Sequence, residues 1–75
     1  MAGASDEWAG YAKRHIKSEL KRADVGYVEL ARRLTEMGLH ETEGSVTVKI
    51  NRGAFPAWFL FAVMRAIGAS TLRLD

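Results

Sequence analysis

KINRGAFPAWFLFAVMRAIG, residues 49–68, sets a short basic and polar segment directly against a hydrophobic block. The first part stops at Gly53. Three residues later Pro56 opens a run too apolar for a single helix face to hold. Gly53 is placed to end one helix, and Pro56 to begin another, because the N–H it lacks would have no helical partner there. This pair of signals divides the stretch into two helices, one ending at about Arg52 and one running from Pro56 to about Ile67, with Gly68 as its stop. The upstream helix predicts a presentation surface, and the downstream one the platform beneath it.

Working back from Lys49, "LHETEGS" reads as a connection. Thr42 is a candidate cap, and Glu41 and Glu43 suit the positive end of a helix over roughly Glu43 to Arg52. Val46 and Ile50 point that helix inward. Before the connection, "YVELARRLTEM" carries a stripe of Tyr27, Leu30, Ala31, Leu34 and Met37 at helical spacing, with Arg32, Arg33 and Glu36 pointing away. Gly38 is placed as its left-handed end. The first helix shows Trp8, Ala12, Ile16, Leu20 and Ala23 on one face and Lys13, Lys17 and Lys21 on another, and "ADVG" ends it. Residues 1–6 predict a flexible tail with Ser5 as a cap, and residues 7–75 a single helical domain. At the other end "STLRLD" alternates Leu72 and Leu74, which suits a short edge strand or an extended tail. The predicted core is Leu20, Leu30, Ala31, Leu34, Val46, Ile50, Phe59, Val63 and Ile67.

Composition agrees with one small domain. Of 75 residues 48% are hydrophobic and 27% charged, with net charge +2 and no cysteine. The absence of cysteine excludes disulfide and thiolate-zinc support and fits a reducing compartment. "MAGASDEW" has neither a basic nor an apolar signal region, and the uncharged run from Ala54 to Met64 is too short to span a bilayer. The expectation is a cytoplasmic protein with no membrane partner. His15 and His40 share no ligand spacing, nothing suggests a nucleophile–base pair, and no glycine-rich phosphate loop is present. The sequence therefore predicts no metal, no cofactor, no small-molecule substrate and no enzymatic activity.

The segments "VGYVELARRL", "VTVKINRG", "FPAWFLF" and "VMRAIGAS" resemble, in order, the helices of the phage-repressor-like helix-turn-helix superfamily. Over nearly its full length the chain is still more similar to a family of small uncharacterised bacterial proteins sharing "ELKR", the Tyr27–Leu34 helix and "GLHETEGSVTVKINRG". The superfamily likeness implies an all-α, compact bundle of four to five helices whose third helix enters the DNA major groove. One departure is that Thr35 stands four residues after Ala31, where the tight version of the motif has its turn glycine. Glycine comes only at Gly38, so the connection between helices 2 and 3 is lengthened and acidic.

On that reading the chain is a DNA-binding, repressor-like module, a small transcriptional regulator acting as a dimer on double-stranded DNA. Ser45, Val48, Lys49 and Arg52 face the bases and phosphates, and Arg32 and Arg33 neutralise flanking phosphates. Glu36, Glu41 and Glu43 oppose it by repulsion. On the fourth helix, Trp58, Phe61 and Arg65 lie opposite the core stripe and predict a homodimer interface; the competing expectation is that the first helix, with Trp8 and Tyr11, covers them. The alternative function is a protein-interaction or dimerisation module that binds no nucleic acid.

Overall fold

The computed structural model describes residues 3–72 and 74. It is all-helical, with four helices in the order α1 (Ala4–Ala23), α2 (Tyr27–Glu36), α3 (Glu43–Arg52) and α4 (Ala57–Ala66). Among the described residues there is no strand, and Leu72 lies in an irregular segment rather than an edge strand. No helix is long and apolar enough to cross a membrane.

The helix ends follow local chemistry. Thr42 caps α3: its Oγ1 accepts from the Ser45 N–H at 3.1 Å, and its own N–H donates to Ser45 Oγ at 2.9 Å. This reciprocal pair satisfies two donors that a helix start otherwise leaves without partners. α1 begins earlier than expected. Its cap is Gly3 rather than Ser5, and the Asp6 carboxylate accepts from the Gly3 N–H at 3.3 Å, so residues 4–6 are helical. α1 ends at Asp24, which takes the left-handed conformation with φ 59°. Val25 then turns into the core and donates its N–H to Leu20 O. Pro56 is the residue before α4 rather than its first.

α3 is braced on two sides. α1 packs on α3, and α2 packs on both α3 and α4. Their meeting faces hold Ile16, Leu20, Val25, Leu30, Ala31, Leu34, Val46, Ile50, Phe59 and Val63. Eight of the nine predicted core residues are buried; Ile67 is only partly so and packs on the edge. Met37 and Ala23, both assigned to inward stripes, are exposed. Each stands in the last turn or just past the end of its helix, where no other helix lies over it.

Gly53 carries the hinge between α3 and α4. Its φ is 63°, and a Cβ placed on it would stand 1.9 Å from the Ala9 carbonyl oxygen of α1. Only glycine meets both demands, the left-handed backbone and the close helix approach. α1 thus presses directly on the joint between α3 and α4.

Candidate nucleic-acid interface

Winding α3 at its ordinary pitch separates the predicted contact residues into two groups. Val46 and Ile50 fill the core, fully buried. Ser45 and Lys49 fall on the flank of that buried face, toward the connection from α2. Gly44, Val48, Asn51 and Arg52 form the outward face, and Val48 is 49% exposed.

The flank is closed by Glu41. Its side chain is only 4% exposed. One carboxylate oxygen accepts from Ser45 Oγ at 2.6 Å and the other from Lys49 Nζ. Lys49 Nζ also sits 5.1 Å from the centre of the Phe59 ring, a cation–π contact that ties α3 to α4. Burial pushes the Glu41 carboxyl up, but the Lys49 ammonium and the Ser45 hydroxyl outweigh it, and the group lies below the ordinary carboxylate range. The expected free Lys49 contact is thus an ion pair with the covered Glu41 carboxylate. The expected Glu41 repulsion is likewise absent from the surface, because its charge is covered and neutralised.

The α2 cations are committed as well. Arg32 forks onto Glu29, donating from Nε at 2.9 Å and from a terminal nitrogen at 2.6 Å, and reaches Glu36 at 2.8 Å. Arg33 donates to Glu29 at 2.8 Å and to the Ala66 carbonyl at 3.0 Å. The hydrogen bonds from Arg32 and Arg33 lower the Glu29 carboxyl to about 2. Arg33 was expected to point away from the fold; it instead satisfies a carbonyl that the end of α4 would leave open. Arg32 remains at the surface, 56% exposed, but within a Glu29–Arg32–Glu36 chain of charges.

Among the described residues, Arg52 and the Lys13–Lys17–Lys21 row have no carboxylate partner within salt-bridge distance. Of the six positions predicted for DNA contact, Ser45 and Lys49 are brought together by Glu41, and Arg32 and Arg33 by Glu29. Val48 and Arg52 alone face outward unengaged. Sequence reading missed Glu41 as the organiser: Ser45 and Lys49 share one side of α3 by their four-residue spacing, but Glu41 precedes the helix cap and reaches them from the connection.

The outer face of α4 presents the opposite character. Trp58, Phe61 and Arg65 lie on one stripe, with Trp58 53% and Phe61 64% exposed. α1 does not cover them; Trp8 is itself 65% exposed and packs on Tyr11, with ring centres 5.4 Å apart. Phe61 and Arg65 line a groove of about 520 Å³ closed on its far side by the segment from Gly68 to Leu72. Tyr11 Oη donates to the Leu74 carbonyl at 2.7 Å, returning the end of the chain to α1. No group of three or more His, Cys, Asp or Glu is placed to hold a metal ion among the described residues.

The family model described as a domain of unknown function (DUF6471) matches residues 8–72. No curated protein and no solved structure matches the chain.

Proposed function

We propose, from the premise that the chain belongs to the DUF6471 family, that it is a non-enzymatic double-stranded DNA-binding module whose reader is the outward face of α3. The observation that carries this reading is the state of charge around that helix. Of the acids expected to repel phosphate, Glu41 is covered by Lys49 and Glu43 stays exposed in the first turn of α3, while Arg52 at the far end has no carboxylate partner among the described residues. The helix is also held from two sides, by α1 and α2, which leaves Gly44, Val48, Asn51 and Arg52 as a rigid outward row.

In this reading Arg52 takes a phosphate or a guanine edge, Asn51 an adenine edge, and Val48 a thymine methyl. Lys13, Lys17 and Lys21 supply phosphate contacts. Lys49 and Ser45 position α3 through Glu41 and do not themselves touch the bases. The superfamily resemblance of the α2–α3 motifs supports the same assignment.

The test is fluorescence anisotropy of the full chain with pooled duplexes at two salt concentrations. Binding should weaken steeply with salt. Arg52→Ala should reduce the salt slope by about one if it holds a phosphate. Lys49→Ala should leave that slope unchanged. Absence of binding at low salt would sink the DNA reading.

A second reading, a protein-interaction module without nucleic acid, is favoured by one specific observation. Lys49, Arg32 and Arg33 are already committed to protein acceptors, whereas Trp58 and Phe61 stand uncovered.

A further inference from the structure

We infer that the outer face of α4 binds a second copy of this chain, antiparallel, with each Trp58 inserted beside the partner's Arg65 in the groove closed by Leu72. This goes beyond the DNA reading and does not depend on it.

Trp58, Phe61, Ala62 and Arg65 share one stripe because three, four and seven residues return to the same side of a helix. Trp58 and Arg65 are equidistant from the midpoint between Phe61 and Ala62. A two-fold axis through that midpoint brings each Trp58 opposite the other copy's Arg65, and the two Phe61 rings together at the centre. Such an interface is self-complementary, as a two-fold dimer requires.

Charge points to the same occupant. α4 has no acidic residue, and Arg65 is its one cation. A guanidinium on an apolar face is matched by an aromatic ring as well as by a carboxylate. The face itself carries that ring, Trp58, at the matching distance along the helix. Arg65 and Phe61 line the groove, and its 520 Å³ accommodates an indole.

Area sets the strength. With Trp58 and Phe61 53% and 64% exposed, the two rings leave on the order of 200 Å² uncovered, given roughly 150–250 Å² per aromatic side chain. Leu72, 43% exposed, and the Arg65 stem extend the patch. This remains below the ~800 Å² per partner of a standard interface, which places the dimer among weak, concentration-dependent assemblies.

The test is sedimentation velocity of the full chain across a series of rising protein concentrations. The wild type should shift from monomer toward dimer. Phe61→Glu sets two carboxylates against each other at the axis and should abolish the shift. Trp58→Lys opposes the partner's Arg65 and should do the same. Combining Trp58→Lys with Arg65→Glu restores opposite charges across the axis and should recover the dimer. All three positions are exposed, so helicity by circular dichroism should be unchanged, and the recovery arm stays decisive should one single change reduce it. A wild type that is monomeric throughout overturns the proposal and leaves the face to a different partner. A Phe61→Glu chain that dimerises like wild type overturns it in favour of another surface, and failure of the double exchange to recover overturns the antiparallel pairing.

Discussion

α3 and α4 are equal in length, ten residues each, and stand on either side of one glycine. Their outer surfaces were formed by opposite routes. Around α3, charge is plentiful in the sequence but mostly consumed at home: Lys49 by Glu41, Arg32 and Arg33 by Glu29. On α4, a nearly uncharged segment has more apolar surface than the fold covers, and Trp58 and Phe61 remain in solvent. The availability of a charge depends on partners elsewhere in the chain, whereas an uncovered aromatic records that no element of its own chain lies over it. A basic helix is therefore a weaker pointer to a polyanion than its composition suggests until its pairing is known.

The largest expected effect comes from the joint that both helices share. Gly53→Ala forces a side chain into the left-handed region and against the Ala9 carbonyl. Strain and overpacking together should cost about 3–5 kcal/mol, read as a lower urea midpoint with an unchanged slope. A loss under ~1 kcal/mol would mean that α1 does not press on the joint.

The next effect probes the neutralised flank of α3. Glu41→Gln removes the buried carboxylate but leaves Lys49 able to reach water, because Lys49 is 37% exposed. The cost at neutral pH should therefore be about 1–2 kcal/mol, below the range for breaking a fully buried pair. The pH dependence has a defined sign. The Glu41 carboxyl is held below its ordinary 4.5 in the folded chain, so its contribution is present above that value and fades as pH falls through the lowered one. Urea titrations of wild type should lose stability on acidification below about 4.5, and Glu41→Gln should flatten part of that loss. Glu29, lowered to about 2, contributes in the same direction at still lower pH and persists in the variant. An identical acid profile for the two chains would remove Glu41 from its organising role.

The smallest effect isolates the start of α3 from its flank. Thr42→Ala deletes the hydroxyl that receives the Ser45 N–H and should cost about 1 kcal/mol by thermal or urea unfolding. No change would show that the Glu41–Ser45 bond alone fixes this helix start.

These expectations separate what sequence makes legible from what it hides. The bounds of α3 are readable because Thr42 and Gly53 are chemical punctuation on either side of an inward Val46 and Ile50. The core of α2 and the stripe of α4 are readable from periodicity. Glu41 was legible as an acid near a helix start but not as a buried one, because its burial depends on how the connection folds over the flank. Arg33 carries no local sign that the Ala66 carbonyl lies within reach; that acceptor belongs to another helix. The exposure of Trp58 and Phe61 was decided by where α1 went. α1 packs on α3, and nothing in its own amphipathic pattern states that choice.

The contact of Gly53 with Ala9 also bears on the order of assembly. α2 and α3 are joined by a short loop, whereas the contact between Ala9 of α1 and Gly53 closes a much longer stretch of chain and so carries the larger loop-closure cost. A late-forming contact restrains escape from the native state more than it hastens arrival. The glycine that lets two helices touch is thus a latch on the lifetime of the folded chain, and Gly53→Ala should reveal it chiefly as faster unfolding in stopped-flow kinetics.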